Sequence, residues 1–305
     1  RILEIYDAVN TALVGALLLF TTPLAIAAYS RLLMSRQIGR NYSIRMVVLN
    51  GADELLNCFL FTFGFQLVTF AFASPLYSFL MRNNLAWTIA SLSSFISVLS
   101  IHTRFYVAVT RLSAMFPSLF RKLNSPIIFL ICLVTTISGT IPMIMDIVLF
   151  NTFNYVPVVI GEAEVFIPYT ERNVEFIVDI NHGHAVIMAL LTLLTNLLLS
   201  FTLFRKGREV AHISSSRKNK QERGLVITSI VSYLIYMVYF IDNYITREFE
   251  WTWAAYSQFL FLGISCHSPF WCLILFSGSV RATILKRRTT VETRTIAHSF
   301  TVQHK

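Results

Sequence analysis

Charged residues are scarce in this chain of 305 residues, and their scarcity bears on whether the chain folds in water or in a lipid bilayer. Only 13% of the residues are charged, whereas soluble domains carry roughly 25%. Hydrophobic residues make up 55% of the chain, phenylalanine alone contributes 26, and the mean hydropathy is +0.63. This composition excludes an ordinary soluble protein and predicts an all-α membrane protein.

The chain also lacks residues that several classes of membrane protein require. No lysine lies in its last apolar stretch, which excludes a retinal protein with a Schiff base there. Neither a GxSxG nor an HExxH motif is present. We therefore expect no enzymatic activity and no cofactor. The four cysteines all fall in apolar stretches, where free buried thiols are common: Cys58, Cys132, Cys266 and Cys272.

The histidines do not predict a metal site. His182 and His184 fall at one boundary of the predicted membrane region, His102 falls near the opposite boundary, and His267 lies within the last apolar stretch. Because a zinc site needs its ligands at one depth, we expect these side chains not to meet at a metal ion.

Seven apolar stretches are long enough to cross a bilayer core of about 30 Å as helices. We number them spans 1 to 7, and they cover residues 8–30, 46–71, 85–109, 126–150, 183–204, 224–245 and 253–277. The sequence thus predicts one membrane domain, residues 1–285, and a basic tail, residues 286–305. No cleavable signal peptide is expected, because the segment before span 1 is short and mixed in charge.

Basic residues predict the orientation of the bundle. Assigning the connections 1–2, 3–4 and 5–6 and the C-terminal segment to one side of the membrane places 21 of the 25 lysines and arginines there, with Arg104 at the end of span 3 counted among them. By the positive-inside rule this side faces the cytosol, so the N-terminus is outside and the C-terminus inside. Anionic lipid headgroups account for the net charge of +9, and no basic soluble module is present that would bind nucleic acid. The connection 151–182 is acidic, and its VPVVIGEAEVFIPY segment predicts a hairpin with Gly161 and Glu162 at the turn.

Two adjacent carboxylates, Asp53 and Glu54, lie inside span 2. An acid at the centre of a membrane costs about 2.5–3.5 kcal/mol, so it normally faces the bundle interior and finds partners. Helix arithmetic predicts a polar cluster at the depth of Asp53: Asn50, Asp53, Ser100, His267, Ser268 and Pro269. Glu54 is rotated by about 100° from Asp53, and we expect it near a helix edge or protonated. The cluster either holds helices together or takes part in switching.

Polar and aromatic residues near the outer ends of the spans are candidates for a ligand pocket: Trp87, Tyr239, Asp242, Asn243, Tyr256 and Gln258. The aromatic side chains among them also suit a membrane-interface belt. Asp242 either pairs with a ligand amine or pairs with Arg247, which lies about a turn later.

Several segments resemble helices of rhodopsin-type receptors. LNGADELL in span 2 resembles their mid-membrane Asp after a small-residue turn, and IHTRFYVAVTRLSAMFP resembles the end of their third helix, with Arg104 at the Arg position. CHSPFWCLILFSGSVRATIL is similar to their Asn-Pro-x-x-Tyr segment and the short amphipathic helix after it. Here Ser268-Pro269 stands for Asn-Pro, and Cys272 takes the Tyr position.

The departures favour one branch of these receptors. Thr103 replaces the usual acid before the Arg, span 4 has no Trp, span 6 has no Pro, and no cysteine pair joins span 3 to the acidic connection. With TTPLAIAAYSRLL in span 1, the chain resembles the nematode serpentine chemoreceptors of the Srg superfamily, with its Srv, Srx and Srg branches.

This resemblance implies a G-protein-coupled receptor in the plasma membrane of sensory neurons, which detects a small molecule and signals through a heterotrimeric G protein. It implies that basic residues contact the G protein: Arg104, Arg111, Arg205, Lys206, Arg208 and Arg281. A ligand-gated channel subunit, as in insect odorant receptors, has the N-terminus inside, against the charge bias. A small transporter is expected to show an internal repeat, and none is visible.

Overall fold

The computed structural model describes residues 2–35, 42–67, 70–116, 130–131, 133–141, 153–160, 163–170, 175–210, 217–249 and 252–285. Ten helices and one hairpin cover most of this part of the chain. In order they are α1 (Ile2–Ala16), α2 (Thr22–Met34), α3 (Tyr42–Phe61), α4 (Ser74–Arg82), α5 (Ala86–Met115), α6 (133–141), β1 (Phe153–Ile160), β2 (Ala163–Thr170), α7 (Glu175–Val210), α8 (Arg217–Phe249), α9 (Thr252–Phe276) and α10 (Gly278–Leu285).

Six helices are long and apolar enough to cross a membrane: Val9–Met34, Ile44–Phe65, Ala86–Ser113, Gly183–Arg205, Arg223–Thr246 and Ser257–Phe276. They correspond to predicted spans 1, 2, 3, 5, 6 and 7, which confirms a helical membrane protein. Span 4 is described only over residues 130–131 and 133–141, which are helical. Rows of leucine and phenylalanine on span 5 remain exposed, among them Leu194 and Phe201, as expected for a surface that faces lipid.

Proline shapes two of the spans. In span 1 a π-helical turn, Leu17–Thr21, separates α1 from α2 and directly precedes Pro23. Pro269 lies inside α9, and the carbonyl of Ser265 that proline leaves without an N–H donor accepts a hydrogen bond from Ser268 Oγ at 2.8 Å. Side-chain donors of this kind allow proline inside a membrane helix.

The predicted hairpin is present. Strands β1 and β2 pair antiparallel with Ile160 opposite Ala163. The predicted turn residues, Gly161 and Glu162, lie outside the described residues. We call the end of the bundle that carries this hairpin the hairpin end, and the opposite end, with the arginines of α2, α7 and α10, the basic end.

Glycine permits close helix contact at two positions. A Cβ atom on Gly51 of span 2 would lie 2.1 Å from the Tyr29 hydroxyl of span 1. A Cβ atom on Gly224 would lie 2.4 Å from the Phe276 carbonyl oxygen, where spans 6 and 7 meet at the basic end. Neither contact, one with a side chain and one with backbone, accommodates a larger residue without movement. The largest apolar core lies at this end, around Leu32, Leu225 and Leu273.

Candidate functional site

A buried ion pair joins spans 2 and 3. The Nε atom of Arg104 lies 2.5 Å from the Oε1 atom of Glu54, and the two side chains are 5% and 1% exposed. Removing two charges from water is costly, and mutual attraction offsets this cost only when both partners stay in place. The ion pair therefore couples the positions of spans 2 and 3.

Arg104 also contacts the two spans on its other side. Its Nη2 atom donates a hydrogen bond to Ser265 Oγ of span 7 at 3.1 Å. Its guanidinium carbon lies 4.1 Å from the centre of the Tyr236 ring of span 6, which is a cation–π contact. One side chain of span 3 thus binds spans 2, 6 and 7 at once.

Thr103 connects the second carboxylate to this site. Its hydroxyl lies 3.0 Å from Asp53 Oδ2 and 3.1 Å from Asn50 Oδ1, while Ser100 donates to Glu54 Oε1 at 2.5 Å. The predicted residues Asn50, Asp53 and Ser100 therefore do come together. Sequence reasoning treated Thr103 only as a replacement for an acid, although a hydroxyl beside an intramembrane Arg was a signal for a buried partner.

The position of Glu54 differs from the expected one. The sequence predicted a helix edge or a protonated acid. In the structure Glu54 is 1% exposed and faces Arg104 rather than a helix edge. The pairing was missed because Arg104 was expected at the cytosolic mouth. Helix α5 extends to Met115, six residues beyond the predicted end of span 3, which leaves Arg104 about 16 Å from the end of its helix.

The remaining members of the predicted cluster have other partners. His267 Nε2 lies 3.1 Å from the Thr22 hydroxyl of span 1, and its Nδ1 atom lies 2.7 Å from the Gly263 carbonyl oxygen. The Ser268 hydroxyl lies 3.1 Å from that of Ser232 in span 6. Successive helix residues point about 100° apart, so Ser265, His267 and Ser268 face spans 3, 1 and 6 respectively, and Pro269 is buried beside them.

A small polar cavity of about 20 Å³ adjoins Arg104, a volume that holds about one water molecule. Spans 2, 3, 5 and 6 contribute its lining: Asn50, Arg104, Val107, Asn196, Ser229, Ser232 and Tyr233. Among the described residues, Arg104 Nη1 and Asp53 Oδ1 are buried without a hydrogen-bond partner. The ion pair therefore lies beside polar groups that can exchange partners.

Two histidines meet, against the expectation from their positions in the sequence. The Nε2 atoms of His102 and His184 lie 3.3 Å apart. Because His102 Nδ1 donates to the Val98 carbonyl at 2.8 Å, His102 Nε2 is the acceptor and His184 the donor. Helix α7 begins at Glu175, which places His184 roughly 14 Å inside its helix. Within the described residues no three metal-binding side chains are grouped, and the side chain of His182 lies outside them.

The predicted ligand residues separate into two regions. Trp87 packs near the hairpin end with Tyr77 and Tyr155, whereas Tyr239 packs against span 1 and span 7. Ser257 donates to Asp242 Oδ1 at 2.9 Å, and Gln258 donates to Asn243 Oδ1 at 2.5 Å. The side chain of Tyr256 lies outside the described part.

The basic residues predicted to contact a G protein differ in accessibility. Arg104 is 6% exposed and Arg111 is fully buried, so neither forms part of the surface in this arrangement. Arg205 and Arg281 are exposed at the basic end. The side chains of Lys206 and Arg208 fall outside the described residues.

The comparisons with known proteins assign no family. No protein-family model matches the chain, and no curated protein matches it. What is established is a helical membrane protein in which spans 2, 3, 6 and 7 meet at the Glu54–Arg104 pair.

Proposed function

We propose that this chain is a seven-span G-protein-coupled chemosensory receptor in the plasma membrane of sensory neurons. It detects a small external molecule and activates a heterotrimeric G protein. The observation that carries the proposal is the position of Arg104, which contacts Glu54, Ser265 and Tyr236 on three other spans. A side chain with contacts on spans 2, 6 and 7 senses any change in their relative positions.

The mechanism is a shift between two helix arrangements. In the described arrangement Arg104 is paired and buried, so it is not accessible from the basic end. A ligand that binds the hairpin end better in a second arrangement shifts the population toward it. Release of Arg104 from Glu54 then makes its guanidinium available to the G protein, next to the exposed Arg205 and Arg281.

The path of the chain supports seven spans. Helix α5 begins beside the hairpin and ends at Met115, near the basic end, whereas β1 begins at Phe153 at the hairpin end. A return of the intervening chain across the membrane would connect these two ends, and its described residues 130–131 and 133–141 are helical. With span 4 included, the excess of basic residues in the connections 1–2, 3–4 and 5–6 and in the C-terminal segment supports an external N-terminus.

The test compares signalling with surface expression for three variants. Arg104→Ala alone would leave Glu54 buried without its partner, at a cost of about 3–5 kcal/mol, so reduced surface expression is expected. The double variant Arg104→Met with Glu54→Gln removes both charges and keeps the volume, which is often neutral for stability. We expect this double variant to reach the surface without activating a G protein.

The control is Arg82→Ala, because Arg82 is an exposed arginine at the hairpin end. This variant should signal as the wild type does in cells that are screened with a panel of odorants. Ligand-evoked signalling from the double variant at wild-type amplitude would overturn the role of Arg104. A wild-type response that persists when G proteins are inhibited would overturn the receptor proposal and favour a channel.

A further inference from the structure

The carboxylate of Asp242 in span 6 has a hydrogen-bond partner for only one of its two oxygens among the described residues. Its Oδ1 atom accepts a hydrogen bond from Ser257 of span 7 at 2.9 Å. Its Oδ2 atom is buried and has no hydrogen-bond partner among the described residues. A buried polar atom without a partner is costly, and a carboxylate offers about four acceptor positions. A donor placed at Oδ2 would therefore satisfy this group.

The neighbouring contacts show that Oδ2 is not needed to hold the helices together. Asn243, the next residue, accepts a hydrogen bond from Gln258 at 2.5 Å. Two adjacent pairs, Asp242–Ser257 and Asn243–Gln258, thus connect spans 6 and 7 at one level. They also fix the direction of the carboxylate, since its Oδ1 atom is already bonded.

The depth of Asp242 suits a molecule that arrives from the hairpin end. Asp242 lies seven residues before Phe249, the last residue of α8, or about 10 Å below the helix end. It is still within the apolar window Arg223–Thr246. An ionisable residue at such a depth indicates a functional site by default.

Aromatic residues lie near the level of Asp242 along spans 6 and 7. Phe259 follows Gln258 in span 7, and its ring lies 5.4 Å from that of Phe61 in span 2. Tyr239 lies one helical turn before Asp242 and is partly buried. An alkyl chain is compatible with these rings, and a positive charge near them is attracted by their faces.

We propose that Asp242 Oδ2 binds the ammonium group of a small alkylamine. A cation is favoured over an alcohol because only a cation compensates the charge of a carboxylate in an apolar region. This inference rests on the proposed receptor function for its biological role, but its binding test requires no G protein.

The test uses purified full-length protein in detergent and three probes of equal length: hexylamine, hexanol and hexanoate. We expect hexylamine to raise the thermal unfolding midpoint, and the other two to have little effect. Asp242→Asn should weaken hexylamine binding by about 10- to 100-fold, which corresponds to one charge-assisted hydrogen bond. Equal stabilisation of this variant, or no stabilisation of the wild type by hexylamine, overturns the proposal.

Two further variants keep the result interpretable. The double variant Asp242→Asn with Asn243→Asp moves the carboxylate by one residue without changing the composition, so it should fold and still bind hexylamine more weakly than the wild type. If Asp242→Asn does not fold, this variant decides the outcome. Arg247→Gln tests an internal partner: if it raises hexylamine affinity as strongly as Asp242→Asn lowers it, Arg247 is the native partner of Asp242 and the proposed ligand class is wrong.

Discussion

The Oε1 atom of Glu54 lies 2.5 Å from the Nε atom of Arg104 in the interior of a membrane protein. The adjacent Asp53 instead accepts a hydrogen bond from Thr103 and keeps one oxygen without a partner among the described residues. Two neighbouring acids of one helix therefore have different roles. Glu54 compensates a buried cation, whereas Asp53 is hydrogen-bonded to a hydroxyl.

This difference predicts unequal effects of two matched substitutions. Glu54→Gln leaves Arg104 buried without its counter-charge, so we expect a loss of about 3–5 kcal/mol in the free energy of unfolding. Asp53→Asn retains an acceptor for Thr103, so its change should stay within about 1 kcal/mol. Unfolding in detergent measures both, and a larger loss for Asp53→Asn would contradict the assignment. If Asp53 takes part in switching, its variant should also alter basal activity or response amplitude.

The contact between Gly51 and Tyr29 predicts a steric effect. The Cβ atom of Gly51→Ala would lie 2.1 Å from the Tyr29 hydroxyl, so we expect a loss of about 1–3 kcal/mol. Gly15→Ala is the control, because no atom lies within 4 Å of its Cβ position. Alanine there should stabilise the helix by about 0.5–1 kcal/mol. Thermal unfolding compares the two, and combining Gly51→Ala with Tyr29→Leu should restore part of the loss.

We expect the packing of the hairpin against α4 to weaken at high pH. Tyr77 is fully buried, donates a hydrogen bond to the Phe63 carbonyl and packs on the Tyr155 ring at 5.0 Å. Burial raises the pKa of Tyr77 from 10.0 to about 12. The folded state thus favours the neutral phenol, so its stabilisation is complete below pH 10 and is lost as the pH rises toward about 12.

Tyr77→Phe provides the comparison, since it keeps the ring and removes the ionisable group. Its thermal unfolding midpoint should depend less on pH between about 10 and 12 than that of the wild type. Burial also raises the pKa of Tyr155, whose hydroxyl donates to the Gly64 carbonyl at 3.1 Å. The same pH dependence in Tyr77→Phe and wild type would assign the effect to other groups.

The predicted orientation has a direct chemical test. The chain contains one Asn-x-Ser/Thr sequon, Asn41-Tyr42-Ser43, in the connection between spans 1 and 2. Glycosylation occurs on the lumenal side of the membrane, and the charge bias assigns Asn41 to the cytosol. We expect no glycan on the native chain and a glycan on a sequon engineered beside Glu162. A glycosidase-sensitive mass shift from Asn41 would reverse the orientation and favour the insect-type channel.

The local pattern of apolar residues was sufficient to predict the membrane helices and the hairpin. Apolar runs of about 20 residues predict membrane helices wherever they occur, because the backbone has no other way to satisfy its polar groups in lipid. The hairpin was predictable from its alternating apolar residues, and its two strands pair as expected. Neither inference depends on which helix packs beside which.

The pairing of Glu54 with Arg104, and of His102 with His184, was decided only by the tertiary structure. Both pairs depend on where each helix starts and ends, and α5 and α7 extend six and eight residues beyond the predicted limits of spans 3 and 5. When a predicted helix end is wrong by one residue, the expected depth of every side chain measured from that end is wrong by 1.5 Å. The apolar pattern ends where contact with lipid ends, whereas the helix continues beyond it. The sequence alone therefore identified the charged residues inside the membrane but not which residues they pair with.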